Sequence, residues 1–277
     1  MNSLWLTINT LENIKDELDN VDIKKYRMIK VNNRVKKINI NNIGIIIKEK
    51  ERGNKKDNIK HEYNVGKVIN MYKNTIPNIV YTFDLIKIKD RYNLLVEEIK
   101  GDVVKKNYSL DTYFRLLLQI AFTLEFLQKK IEFTHYNLHS HNVIITELEK
   151  DYYIKYGDYI LQTNKLAVLI DFGRSYTNIT GGHEYLPKGV KSKFNKYHDI
   201  LLYLRTTFKD NYPNILYDIY SLYGFYDLDI DMNSKDFYSK LRKQKFNDVS
   251  ANNLSNFLIN KYGFKPVYKD CDFFTQI

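Results

Sequence analysis

The sequence predicts an α+β fold in two parts, a small β-rich N-terminal one with one main helix and a larger, mostly helical C-terminal one. Three observations predict it. β-type runs dominate up to about residue 97, and apolar positions at helical spacing dominate after Gly101. The chain is also long and apolar enough to bury one substantial core without disulfides or structural metal. Its 277 residues are 44% hydrophobic and 27% charged, with only 4 Pro and 11 Gly, which excludes wholesale disorder and collagen-like or low-complexity chains.

In chain order, Leu4, Ile8, Leu11, Ile14 and Leu18 recur at helical spacing and predict an amphipathic opening helix. KKINI and IGIIIKEK predict two strands, or one strand bent at Asn41 and Asn42. ERGNKKDN is polar and turn-rich, hence a loop. Val65, Val68, Ile69 and Tyr72 then fall at i, i+3, i+4 and i+7, a helix stripe. IVYTFDLIKI and YNLLVEEI predict two more strands with a tight turn at KDR.

Beyond Gly101, Leu117, Ile120, Ala121, Leu124 and Leu127 predict a long, strongly amphipathic helix. NVIITEL is a short β-type run and LAVLI a buried strand, with a Tyr-rich stretch between them. From Asn195 on, helical patterns such as YHDILLYLRTTF prevail. The change of character sets the boundary at residues 97–101, with parts 1–97 and 98–277 forming one folded unit. No repeat of fixed period appears.

Lys and Arg number 43 against 33 Asp and Glu, a formal charge of +10. Nucleic acid or another polyanion is one reading of such a balance. The basic residues, however, come in scattered pairs (Lys24 and Lys25, Lys36 and Lys37, Lys55 and Lys56, Lys105 and Lys106) rather than one block. In a chain rich in Lys, Asn, Ile and Tyr throughout, that pattern favours a compositional bias over a binding footprint. The opening residues lack a basic, apolar leader, and the longest apolar runs are far below the ~20 residues of a spanning helix. One cysteine, Cys271, permits no internal disulfide. A soluble, cytoplasmic protein is expected.

Three segments carry chemistry. Asp171-Phe172-Gly173 follows the apolar run LAVLI, so a carboxylate stands at a strand end where it could hold a divalent cation, and the glycine lets the chain turn away. His135-Tyr136-Asn137-Leu138-His139-Ser140-His141-Asn142 follows the long helix. Ile45-Ile46-Ile47-Lys48 lies on a predicted strand, and Glu62, fourteen residues on, shares the inward stripe of the next helix. An inward carboxylate is costly unless paired, though by position alone Lys48 and Glu62 read as ordinary solvated charges.

In this order the segments resemble the protein kinase superfamily. Its catalytic loop reads H-R-D-L-x-x-x-N; His135, Leu138 and Asn142 match, and Asn137 stands five residues before Asn142, at the position of the Asp. Lys48 resembles the lysine of V-A-I-K and Asp171 the metal-holding Asp of D-F-G. Pro77-Asn78-Ile79-Val80 resembles the turn into the next strand, and residues 94–98 the strand and hinge that contact adenine. Asp199 resembles the helix-start residue that braces the catalytic loop. The resemblance spans about residues 37–208, and the compact motifs are most similar to kinases of large DNA viruses.

It implies a bilobal kinase fold, ATP and Mg2+ (or Mn2+) as cofactors, a protein substrate, and transfer of the γ-phosphate to a Ser or Thr hydroxyl. It further implies that Lys48 contacts the nucleotide phosphates, with Glu62 fixing it, that Glu97 and Ile99 lie at the nucleotide, and that Asn142 and Asp171 hold the metal. Asn137 occupies the position of the base.

The pattern breaks in several places. An amide at 137 cannot take a proton, so base catalysis is removed while nucleotide binding is spared. Two readings stay open: a natural pseudokinase acting as a binding scaffold, or an active kinase inactivated by an Asp→Asn change. Retention of Lys48, Glu62, Asn142 and Asp171 favours the second. Only Gly44 stands where a G-x-G-x-x-G loop belongs, Tyr136 replaces the family's Arg, and His139 replaces a frequent lysine. Leu186-Pro187-Lys188 matches A-P-E poorly. Residues 151–164 form a Tyr-rich insert that predicts an extended β-hairpin.

A small-molecule kinase of the aminoglycoside or choline kind shares the same logic, though Phe172 and Gly173 favour the protein kinase branch. A zinc hydrolase is suggested by His135, His139 and His141, but no H-E-x-x-H accompanies them.

Overall fold

The amphipathic stripe at the start of the chain becomes α1 (Ile8–Asn20), whose Leu11, Ile14 and Leu18 are buried. They pack with Ile38, Ile40, Ile45, Ile47, Phe83 and Leu95 into a hydrophobic cluster of their own. The computed structural model describes residues 8–20, 23–50, 59–104, 108–156, 159–183, 193–226 and 231–265. Leu4, the loop expected at ERGNKKDN, the pairs Lys55/Lys56 and Lys105/Lys106, Leu186-Pro187-Lys188 and Cys271 lie outside the described residues.

The strand side of that cluster is an antiparallel sheet of β1 (Ile29–Lys30), β2 (Val35–Ile40), β3 (Ile43–Glu49), β4 (Thr82–Ile88) and β5 (Arg91–Glu97), in the order β1-β2-β3-β5-β4. Two tight hairpins set its register. Asn41 and Asn42 both take positive φ (48° and 65°), as do Lys89 and Asp90 (46° and 63°). A two-residue turn of that hand matches the twist of the flanking strands, and asparagine tolerates it better than most residues other than glycine.

On the other face lies α2 (Ile59–Asn70), with Val65 and Ile69 fully buried. Its approach to β4 is close: a Cβ on Gly66 would meet Thr82 Oγ1 at 2.1 Å. Asn70 seals the contact, its amide exchanging hydrogen bonds with the Thr82 carbonyl (2.7 Å) and N–H (2.9 Å).

The helix α3 (Leu110–Ile131) begins at a Ser109 cap and ends at Glu132 in the left-handed conformation. It was expected to be amphipathic. In fact residues 116–124 are buried without a break, so α3 runs through the middle of the large cluster instead of lying on its surface. Against it pack α4 (His198–Phe208) and α7 (Ala251–Tyr262), with α5 (Pro213–Leu222) on α4 and α6 (Ser234–Lys243) adding Phe237 and Leu241 to the same cluster. Their starts suit them: Pro213 occupies the first turn of α5, Asn233 caps α6, and Ser250 with Asn253 makes a capping box on α7.

A second sheet holds β6 (Asp102–Val103), β7 (Val143–Tyr156) and β8 (Tyr159–Leu169) in that order. The short run at NVIITEL is the beginning of a 14-residue strand, and the Tyr-rich insert is the outer half of the β7–β8 hairpin. The sheets are fastened together at Asn78. Its amide donates to Gln119 Oε1 (3.0 Å) and the Ala167 carbonyl (2.8 Å), while Leu169 N–H donates to the Asn78 carbonyl (2.8 Å). The whole is a mixed α+β architecture, with a five-stranded antiparallel sheet and several helices, compatible with a kinase-like fold. Among the described residues no helix is long and apolar enough to cross a membrane.

Candidate functional site

Strand alternation sends Ile45 and Ile47 into the small cluster, so Lys48 and Ile46 face the opposite way, toward α2. There the Lys48 ammonium donates to both oxygens of Glu62 (3.0 and 2.8 Å) and to Asp171 Oδ1 (2.5 Å). Glu62 is buried on the first turn of α2, and Asp171 lies just beyond β8. Burial alone would lower the Lys48 ammonium, but the carboxylates of Glu62 and Asp171 outweigh it and hold it above its usual range. Burial likewise works to raise Asp171; Lys48 beside it, helped by His135 and Arg174, holds the carboxyl below its usual range instead.

Asp171 adopts the left-handed region, φ 66° and ψ 66°, which costs a non-glycine residue about 1–2 kcal/mol. The strain turns the chain sharply into the short helical turn Phe172–Arg174, which buries Phe172 among Phe133 and His135. Gly173 follows, where a Cβ would make ordinary van der Waals contact with Glu62 Oε2 at 3.4 Å.

The loop after α3 is held from several sides. Asp199, wholly buried at the start of α4, accepts the backbone N–H groups of His135 (2.6 Å) and Tyr136 (2.9 Å). The His135 ring meets the Ile170 carbonyl at 2.9 Å. Tyr136 takes positive φ (61°) and its hydroxyl donates to the Lys193 carbonyl. Its phenol, buried, is pushed up to about 12. Asn142 Nδ2 donates to the Asn137 carbonyl (2.8 Å), and the Ile170 N–H donates to the Asn142 carbonyl (3.1 Å). The Asn137 side chain meets Arg174, whose Nη1 donates to Asn137 Oδ1 at 3.2 Å. Burial, with His141 and His135 close by, lowers His139. Beside the loop, His139, Ser140 and His141 face Arg205 and Lys209 across an open groove of about 590 Å³.

Lys48, Glu62 and Asp171 are thus brought into direct contact, Asn137 and Asn142 into a second knot, and the Asn142–Ile170 hydrogen bond joins the two. With Asn142 Nδ2 committed to the loop, its oxygen is turned away from that bond, and only one Asp171 oxygen is used by Lys48. An amide oxygen and a carboxylate oxygen are hard donors suited to a magnesium-sized cation that completes its shell with water and phosphate. Among the described residues no group of three His, Cys, Asp or Glu gathers as a metal site of its own.

Glu97 and Ile99 stand apart from that knot. The Glu97 carboxylate accepts from Lys73 Nζ (3.0 Å) and Tyr81 N–H (3.0 Å), and its own N–H donates to the Tyr81 carbonyl (2.9 Å), so neither its side chain nor its N–H is left for a ligand. Ile99 packs against the large cluster just past β5. Two residues at the site gave no signal of their own in the sequence. Lys73 falls on no periodic stripe, and Arg174 is marked only by following Asp171-Phe172-Gly173.

No family model matches the chain. Among curated proteins it is similar to Probable kinase 098L of Invertebrate iridescent virus 3, 27% identical over an alignment of 171 residues that covers 57% of this chain and 33% of that protein. The chain therefore spans about a third of the relative's length. The match supports a relationship to a viral, kinase-like protein.

Proposed function

We propose that the chain is an ATP-dependent phosphotransferase of the protein kinase kind, with residues 1–97 and 98–277 as two lobes around one nucleotide cleft. The observation that carries the reading is the Lys48 ammonium held between Glu62 and Asp171 (2.8 and 2.5 Å), because it fixes a cation beside a strand-end carboxylate across 123 residues of sequence. In this reading Lys48, oriented by Glu62, binds the α- and β-phosphates. Asn142 and Asp171 hold Mg2+; neutralisation of phosphate charge is what the metal supplies when bound. The backbone at Glu97 and Ile99 borders the adenine. Asn137 faces the hydroxyl of a Ser or Thr acceptor in a protein, and the groove beside His139 and His141 is room for the flanking peptide.

Thermal unfolding with and without Mg–ATP tests the reading. The unmodified chain should gain stability from the nucleotide, by RT ln(1 + [L]/Kd) for a ligand that binds only the folded state. Lys48→Ala should abolish that gain; a gain that survives the substitution overturns the Lys48 role.

A second reading is favoured by one observation. Asn137 cannot act as a base, and its oxygen is occupied by Arg174. A kinase-shaped scaffold that binds nucleotide and a protein partner without turnover fits that chemistry. Nucleotide binding with no phosphotransfer, even after a carboxylate is restored at 137, separates it from the first.

A further inference from the structure

We infer that Arg174 is a ligand-binding residue of this site, its guanidinium placed to hold the terminal phosphate of a nucleoside triphosphate; the inference rests on the nucleotide cleft proposed above. The placement is built by the backbone. Thr134 and Tyr176 pair as antiparallel neighbours, Tyr176 N–H donating to the Thr134 carbonyl (2.7 Å) and Thr134 N–H to that of Tyr176 (3.0 Å). Ser175 Oγ donates to the His135 carbonyl (3.3 Å), one step further along the same pairing. Residue 174 therefore stands across from the Tyr136–Asn137 end of the loop, and the distance from Arg174 Nη1 to Asn137 Oδ1 is 3.2 Å. The other end of the same short turn is Asp171.

The charge arithmetic gives the anchor its role. Lys48 is matched by two carboxylates. Arg174 is exposed, and its side-chain partner at Asn137 is a neutral amide. A guanidinium has five N–H donors in a fixed fork suited to phosphate oxygens, and one bond to Asn137 leaves the rest of the fork for a ligand. Position 139 brings an imidazole rather than a permanent cation, so Arg174 supplies the fixed positive charge next to residue 137. Such contacts are charge-assisted hydrogen bonds; none is covalent, and no proton need move.

Calorimetric titration of the full chain with Mg–ATP and Mg–ADP tests this, since only ATP carries the extra phosphate. The unmodified chain should bind ATP about ten- to a hundredfold more tightly than ADP, the usual worth of a hydrogen bond to a charged group. Arg174→Ala should abolish that preference and leave ADP binding unchanged, while Arg174→Lys should keep part of it. Arg174 is exposed, so neither substitution disturbs the core. An unchanged ATP-to-ADP ratio in Arg174→Ala, or an equal loss for both nucleotides, overturns the assignment while leaving the cleft in place. A chain that binds neither nucleotide before substitution overturns the cleft, and this inference with it.

Discussion

Asp199 accepts the backbone N–H of His135 at 2.6 Å from 64 residues away in sequence, and its second oxygen takes the N–H of Tyr136 at 2.9 Å. The pairing matters because Tyr136 at φ 61° departs from any regular ladder, so these two N–H groups depend on a side chain. Asp199→Asn offers one acceptor oxygen and turns an NH2 toward the second N–H. The expected loss is about 1–3 kcal/mol, the cost of leaving a buried donor unsatisfied. Urea unfolding measures it; a loss within error would mean that the loop is held by its other contacts.

The triad of Lys48, Glu62 and Asp171 makes a pH prediction. The folded Asp171 carboxyl lies below its ordinary value of about 3.9. Its contribution to stability is therefore complete above that value and is lost as pH falls through the folded one, because the unfolded chain then binds more protons. In Lys48→Met the partner is gone and burial raises the carboxyl instead. Between about pH 3 and 5, stability should rise with pH in the unmodified chain, and the slope should flatten in Lys48→Met. Equal slopes in urea titrations across that range would show that Lys48 does not set the state of Asp171.

Much of this fold was legible in the chain because its signals are local. Asn41 and Asn42 mark their own hairpin, the stripe through Val65 and Ile69 marks α2, and Glu62 lies on that stripe, although only the family resemblance named Lys48 as its partner. What was not legible depends on partners distant in sequence. The pattern of α3 was read as one apolar face, but residues such as Leu116, Leu118 and Phe122 are buried too, since other helices pack against it. Asn78 and Gln119, 41 residues apart, look like ordinary polar residues until their amides are found paired in the core. Lys73 and Glu97 carry no period at all, and Arg174 acquires its meaning only through the Thr134–Tyr176 pairing.

Gly66 is another such position. By propensity alone, alanine in mid-helix should gain about 1 kcal/mol. Here the added Cβ would meet Thr82 Oγ1 at 2.1 Å and Thr82 Cβ at 2.8 Å, and Thr82 is buried in a strand. Overpacking of that kind costs about 1–3 kcal/mol, so Gly66→Ala should be net destabilising. It should also tilt α2 and carry Glu62 away from Lys48, and so weaken the nucleotide binding proposed above. A more stable variant with unchanged binding would sink the close-approach argument.

Lys73 and Glu97 form a buried ion pair at 3.0 Å, and Lys73 also donates to the Ile79 carbonyl at 2.5 Å. Removing one member strands a buried charge. Lys73→Met should cost about 3–5 kcal/mol, whereas Lys73→Met with Glu97→Gln should cost less, because the neutral amide can still accept from Tyr81 N–H. The order of the two losses in urea is the measurement. A double variant less stable than the single one would mean that Glu97 contributes through some group other than Lys73.

Asn137→Asp restores a proton acceptor at the end of a loop that is already rigid, its backbone carbonyl fixed by Asn142 Nδ2 (2.8 Å) and His139 N–H (2.9 Å). Nothing else need move, so the change is confined to the side chain at 137 and the Arg174 contact it makes. A positioned base contributes about 10²–10⁴-fold, and phosphotransfer from labelled ATP to a generic protein acceptor should rise by that order. Arg174 then faces a carboxylate instead of an amide, and part of its charge is spent there. The ATP-over-ADP preference should therefore narrow as turnover rises, two readouts that move in opposite directions. If turnover stays at background while nucleotide still binds, the amide is the working residue at 137 and the protein acts by binding.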